Sequence, residues 1–344
     1  MMEEAVVGLP PFLNSSFSSD CDLKLARDLY RVAAPVIIVL CLCNNILYII
    51  LCNYVEEHRS ASSVQKTGIV TANTLLVLSQ LPVFIFFFWN DNMRENHVVP
   101  VSWCNTYRIM GYVLPRMLHT ASLWQILFYG IQRLMCLQQP FKALNWYRID
   151  RFIKFTVIIY VCSFFLHFFK LFDFYYETGD STCILRYTDK FNNKQYKQFY
   201  FWFSTIIVNI IPCVVISIVT FITIYAGLRN YVEKKQVLIN IPGDLSRFRC
   251  PILEECQSTR LLILTMCVEW PRTFTVLYDM VPTESCPFSS LIVIHFASIV
   301  SYTIYLPMFF IMNSNLRDTF CLIISDIKAK VCSLSVNLNE MEDL

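Results

Sequence analysis

Arg108, Tyr112, Arg116, His119, Leu123, Ile126, Gly130 and Arg133 recur every three or four positions, the spacing that places side chains along one stripe of a helix. The stripe is cationic and polar at one end and closes on a lone arginine at the other. In a second apolar stretch Glu269, Arg272 and Asp279 share a face, and Pro271 removes a helix hydrogen bond between them. Glu269 and Arg272 lie one turn apart and can neutralise each other. Charge inside an apolar segment is more often functional, so the favoured reading is that both stretches line a cavity. Arg116, His119, Glu269, Arg272 and Asp279 are therefore the candidate ligand-binding residues, and Pro271 is the candidate hinge. Catalysis has no comparable support. His119, His167 and His295 lack metal-ligand spacing, and each is expected to be a packed or pocket residue. No G-x-S-x-G, H-E-x-x-H or C-x-x-C occurs, and 7 glycines leave little material for phosphate loops. The sequence is read as that of a non-enzyme with no cofactor and no metal.

The elements that must hold these residues follow from composition. Of 344 residues 56% are hydrophobic and 16% charged, with a mean hydropathy of +0.48, whereas soluble domains carry roughly a quarter charged residues. A net charge of +2 supplies no basic field, so nucleic acid is not expected as a partner. A helix crosses the hydrocarbon core with about 20 mainly apolar residues. Seven such runs occur: Arg31 to Tyr54, Thr67 to Trp89, Trp103 to Leu137, Phe152 to Phe172, Phe199 to Leu228, Arg260 to Val281 and Phe288 to Met312. The expected fold is an all-α membrane protein, a seven-transmembrane helix bundle over residues 31–312. Residues 1–30 form an extracellular segment, 313–325 a short amphipathic eighth helix on the membrane surface, with Leu316, Phe320 and Ile323 on one face, and 326–344 a cytoplasmic tail. No internal repeat or second domain is visible, and transporters with repeated halves or broken spans are not resembled.

Seven spans put the termini on opposite sides. Arg59, Lys66, Lys142, Arg148, Arg151, Arg229, Lys234, Lys235, Arg247, Arg249, Arg317, Lys328 and Lys330 fall on one side, against a smaller set on the other. The basic excess places the C-terminus in the cytoplasm. Met1 to Asp20 is acidic and Ser-rich without an apolar run, so the first span is expected to serve as the targeting signal. The single N-x-S/T acceptor, at Asn14, is consistent with an outer N-terminus and is the expected glycosylation site. With this topology only Cys21, Cys104, Cys183 and Cys286 of 15 cysteines face the oxidising side. Four cysteines allow three pairings. A Cys104–Cys183 bridge would pin the loop between spans four and five over the bundle mouth. A Cys21–Cys286 bridge would join spans one and seven; both bridges are expected, with Cys21 and Cys286 left free as the alternative to the second. Cys321 and Cys332 are open to palmitoylation or are plain apolar fillers.

Short stretches in order along nearly the whole chain resemble one family. They are Ala72-Asn73 with Leu81-Pro82, His119-Thr-Ala-Ser-Leu-Trp124, Gln132-Arg133, Pro140-Phe-Lys-Ala143, Leu166-His167, Asn209-Ile-Ile-Pro212-Cys213, Val268-Glu269-Trp270-Pro271 and Leu316-Arg-Asp-Thr-Phe320. The chain resembles rhodopsin-like (class A) G-protein-coupled receptors, and within them the invertebrate neuropeptide receptors for FMRFamide, myosuppressin and sex peptide. It departs from the wider pattern at Gln132-Arg133-Leu134, where relatives flank the arginine with an acidic residue and a tyrosine. Asn73 stands for the second-span aspartate, which puts the sodium site of many relatives in doubt, and Leu306-Pro307 stands in the seventh-span motif, while Asn45 matches the first-span asparagine. The resemblance implies an amidated peptide ligand, a plasma-membrane location, a heterotrimeric G protein engaged at Arg133, and membrane lipid as surroundings. The alternatives are a chemosensory receptor for a small molecule, similar to the nematode serpentine class W, or a non-signalling transporter or structural membrane protein.

Overall fold

The computed structural model describes residues 29–54, 61–85, 103–138, 148–168, 174–178, 183–187, 194–239, 259–274, 296–297, 299–304, 320–323 and 325. Helix α1 is Ala34–Tyr54, α2 Ala61–Phe84, α3 Leu114–Gln138 and α4 Ile149–Phe168. Helix α5 comprises Lys194–Ser204 and Ile211–Ile239, joined through the π-helical Thr205–Ile210. Residues 259–274 form α6, 299–304 form α7, and residues 320–323 are helical. Strands β1, Phe174–Thr178, and β2, Cys183–Tyr187, pair antiparallel from Phe174 opposite Tyr187 to Thr178 opposite Cys183. The hairpin lies between spans four and five and adds one two-stranded ladder to the otherwise helical described residues, in a segment whose aromatic and β-branched residues favour strand pairing.

Large apolar side chains lie on the outer faces as well as in the core. In α4 Ile153, Phe155, Val157, Ile158, Val161, Phe164 and Phe165 are exposed, while Phe152, Ser163 and His167 are buried. Across the molecule Asn45, Gln65, Asn73, His119, Gln125, Gln132 and Glu269 are buried, whereas Val36, Val39, Leu40, Ile218 and Phe221 face outward. An apolar exterior of this extent suits contact with lipid, while the interior combines an apolar core with buried polar side chains. Two described helices, Arg31–Leu51 and Gln198–Arg229, are long and apolar enough to cross a membrane. Where lipid is as apolar as leucine, helices associate through close packing and polar contacts. Helix α3 occupies the middle and packs against α2, α4 and α5. Gly130 permits a close approach there: a Cβ on it would meet Leu262 of α6 at 3.0 Å and Val219 of α5 at 3.1 Å. Buried hydroxyls return to their own helices, Thr74 to the Val70 carbonyl, Thr220 to Ile216, Thr223 to Val219 and Thr265 to Leu261. Lys66, one residue before the apolar run Thr67 to Trp89, lies inside α2 and is only 6% exposed.

Among the described residues the π-helical segments Leu29–Ala33, Tyr107–Val113 and Thr205–Ile210 each end two residues before a proline: Pro35, Pro115 and Pro212. Proline has no N–H for the carbonyl four residues earlier, and its ring crowds that carbonyl. A wider turn relieves both faults, as the bonds from the Leu114 N–H to the Ile109 carbonyl and from the Ile211 N–H to the Ile206 carbonyl record.

Candidate functional site

The stripe on α3 points inward as its spacing requires. His119, Leu123, Ile126 and Gly130 are buried, and Arg116 and Arg133 are half-buried. The side chains of Arg108 and Tyr112 lie outside the described set. At mid-depth α3 meets α6 and α7 in a polar cluster. His119 Nδ1 lies 3.1 Å from Arg272 Nη1 and 3.1 Å from the Tyr302 hydroxyl. His119 Nε2 lies 3.3 Å from Glu269 Oε2, with side chains only 5% and 7% exposed. This is ion-pair distance, although the ring nitrogen is not aligned for a hydrogen bond. Donor chemistry fixes the ring: a guanidinium can only donate, so Nδ1 accepts from Arg272 and the proton sits on Nε2, facing the carboxylate. A neutral imidazole therefore bridges a cation and an anion that share one helix. Glu269 and Arg272 are thus balanced through a residue of α3.

Other contacts brace this cluster. Thr120 bonds His167 Nε2 of α4 at 2.8 Å and the Arg116 carbonyl at 2.8 Å. Tyr200 of α5 donates to the Leu166 carbonyl at 2.9 Å. Below Glu269, the Cys213 thiol meets Thr273 at 3.3 Å, and Trp270 Nε1 donates to Ser217 at 2.9 Å, joining α5 and α6. Pro271 falls within helical residues and is exposed. On the far side of α3 the Ser122 hydroxyl donates to Asn73 Oδ1 at 2.7 Å, so the amide that stands for a carboxylate takes one donor, and its own Nδ2 has no hydrogen-bond partner. At the other end of α3, Arg133 Nε donates to the Tyr129 hydroxyl at 3.3 Å and its Cζ lies 5.3 Å from that ring's centre. Lys66 Nζ lies 5.8 Å from the same centre.

The structure thus unites His119, Glu269 and Arg272. Arg116 lies one turn along α3 from His119, and Arg133 falls at the opposite end of the helix. Asp279, Cys21, Cys286 and Asn14 lie outside the described residues, as do the side chains of Cys104 and Cys183, whose backbones begin the third helical stretch and β2. Phe320 and Ile323 pack on the core and Cys321 is exposed; Leu316 lies outside the described residues. Sequence reasoning missed Tyr302, Tyr129 and the pairing of Thr120 with His167. Tyr129 carried a signal, standing four residues before Arg133 and hence on its face of the helix.

Buried polar contacts join helices with apolar outer faces, two of them long and apolar enough to cross a membrane, which defines a helical bundle with a charged interior site. Comparison with known proteins sharpens that class. The chain is 22% identical to the sex peptide receptor of Drosophila melanogaster, over 73% of this chain and 59% of the relative. It is 24% identical to sex peptide receptor-related protein 2 of Caenorhabditis elegans, over 73% of this chain and 62% of the relative. The resemblance to the sex peptide receptor group is thereby borne out, and the chain spans about three-fifths of the length of these curated relatives. No protein-family model matches the chain.

Proposed function

We propose that this chain is a seven-helix G-protein-coupled receptor of the plasma membrane, with its N-terminus outside, its C-terminus in the cytoplasm and a short eighth helix at the inner surface. Its ligand is an amidated neuropeptide. The observation that carries the reading is the Arg272–His119–Glu269 relay with Tyr302, which ties three helices together inside a lipid-facing bundle. The similarity to a sex peptide receptor supports the choice of a peptide as ligand. The ligand enters among spans three, five, six and seven and meets Arg116, His119, Glu269, Arg272 and Asp279. A basic group on it competes for Glu269, which loosens α6 from α3 and lets α6 swing about Pro271. The inner cavity so opened admits a heterotrimeric G protein against Arg133. The ligand acts only in so far as it binds the open arrangement more tightly than the closed one. The outer bridges Cys104–Cys183 and Cys21–Cys286 and a glycan on Asn14 belong to the same reading. Cells expressing the chain, challenged with a panel of amidated peptides and a panel of small odorants, test it. Activation by a peptide supports the proposal, activation by odorants alone moves the chain to the chemosensory class, and silence to both points to a non-signalling membrane protein.

A further inference from the structure

We infer that Tyr129 is a positioning residue that holds Arg133 back in the resting arrangement, in the role that a neighbouring carboxylate would otherwise fill; the inference rests on the receptor reading of Arg133 given above. Position 132 is an amide, Gln132, buried at 4% exposure. An amide has no charge with which to restrain a guanidinium. Tyr129 supplies two other attractions one turn away on the same helix. Its hydroxyl accepts from Arg133 Nε at 3.3 Å. Its ring lies 5.3 Å from the guanidinium carbon, inside the distance of about 6 Å at which a cation is drawn to an aromatic face.

Three features make this a restraint and not a chance contact. The ring is fully buried, at 0% exposure, so the attraction is not diluted by water, which is where such contacts are strongest. A second cation, Lys66 of α2, lies 5.8 Å from the centre of the same ring, so the ring sits in a site that draws cations from two helices. Arg133 itself is half-buried, drawn along α3 toward the bundle interior. To meet a partner at the inner face the guanidinium must leave the ring and the hydroxyl together. The closed arrangement is then favoured by contacts internal to spans two and three, and the residues that flank the arginine, Gln132 and Leu134, carry no charge.

Two variants separate the attractions. Tyr129→Phe keeps the ring and the packing volume but removes the acceptor; Tyr129→Leu removes both. Two readouts are taken on full-length protein expressed at matched surface levels. The first is the rate at which phenylglyoxal modifies Arg133 in detergent-solubilised protein, followed by peptide mass. It is expected to rise about threefold in Tyr129→Phe and about tenfold in Tyr129→Leu, the latter equal to about 1.4 kcal/mol. The second is ligand-free nucleotide exchange on purified G-protein heterotrimers, expected to rise in the same order and to vanish in Arg133→Ala. Unchanged modification in both variants, or exchange that falls in Tyr129→Phe while Arg133→Ala still abolishes it, overturns the inference. If no form of the chain drives exchange on any heterotrimer, the receptor reading fails, while the modification rates still decide whether Tyr129 restrains Arg133.

Discussion

The relay of Arg272, His119 and Glu269 makes a prediction that needs no ligand. In Glu269→Gln the shape is retained and the charge is lost, so Arg272 faces a neutral neighbourhood. Breaking a buried ion pair by removing one partner costs about 3–5 kcal/mol. Arg272 is only half-buried and the new amide still offers an acceptor, so the expected loss is about 2 kcal/mol. Arg272→Gln is the harsher change, because the Glu269 side chain is 7% exposed and is left with a neutral imidazole; about 3 kcal/mol is expected. The double variant has no stranded charge. Its expected loss is about 3 kcal/mol, where independent losses would give about 5, a coupling of about 2 kcal/mol. Thermal unfolding of the purified protein in detergent reads this out at about 2 °C per kcal/mol for a chain of this size: falls of about 4, 6 and 6 °C. A double variant whose fall equals the sum of the single ones would refute the relay.

Further predictions follow from neighbouring contacts. Gly130→Val should push Leu262 and Val219 off α3 and destabilise by about 1–3 kcal/mol, seen as a lower unfolding temperature. Trp270→Phe, which removes the donor to Ser217, should cost about 1 kcal/mol in the same assay. Arg133→Ala should abolish signalling while ligand binding persists; full signalling would remove Arg133 from coupling. Glu269→Gln should lower peptide potency at equal surface expression, and unchanged potency would discard that contact.

Hydropathy located the described helices because lipid-facing side chains dominate the average, but it misplaced ends wherever polar residues turn inward. Helix α2 begins at Ala61 and not Thr67, since Gln65 and Lys66 are buried within the bundle. Helix α5 runs from Lys194 to Ile239, beyond the apolar run Phe199 to Leu228, because a helix can continue past the hydrocarbon where water satisfies its side chains. The three widened turns were written in Pro35, Pro115 and Pro212, yet only the backbone shows that each fault is absorbed by a π turn. His119, Glu269 and Arg272 were legible because charge at membrane depth is costly and therefore conspicuous. Tyr302 and Tyr129 were not, since a tyrosine in a span is ordinary until its partner on another helix or turn is known.

The central claim is tested most directly by purified chain in lipid nanodiscs with a purified G-protein heterotrimer and an amidated peptide that activates cells expressing it. The account predicts peptide-dependent nucleotide exchange by the unaltered chain and none by Arg133→Ala. Exchange that is independent of peptide and of Arg133, or absent with every heterotrimer, would contradict it.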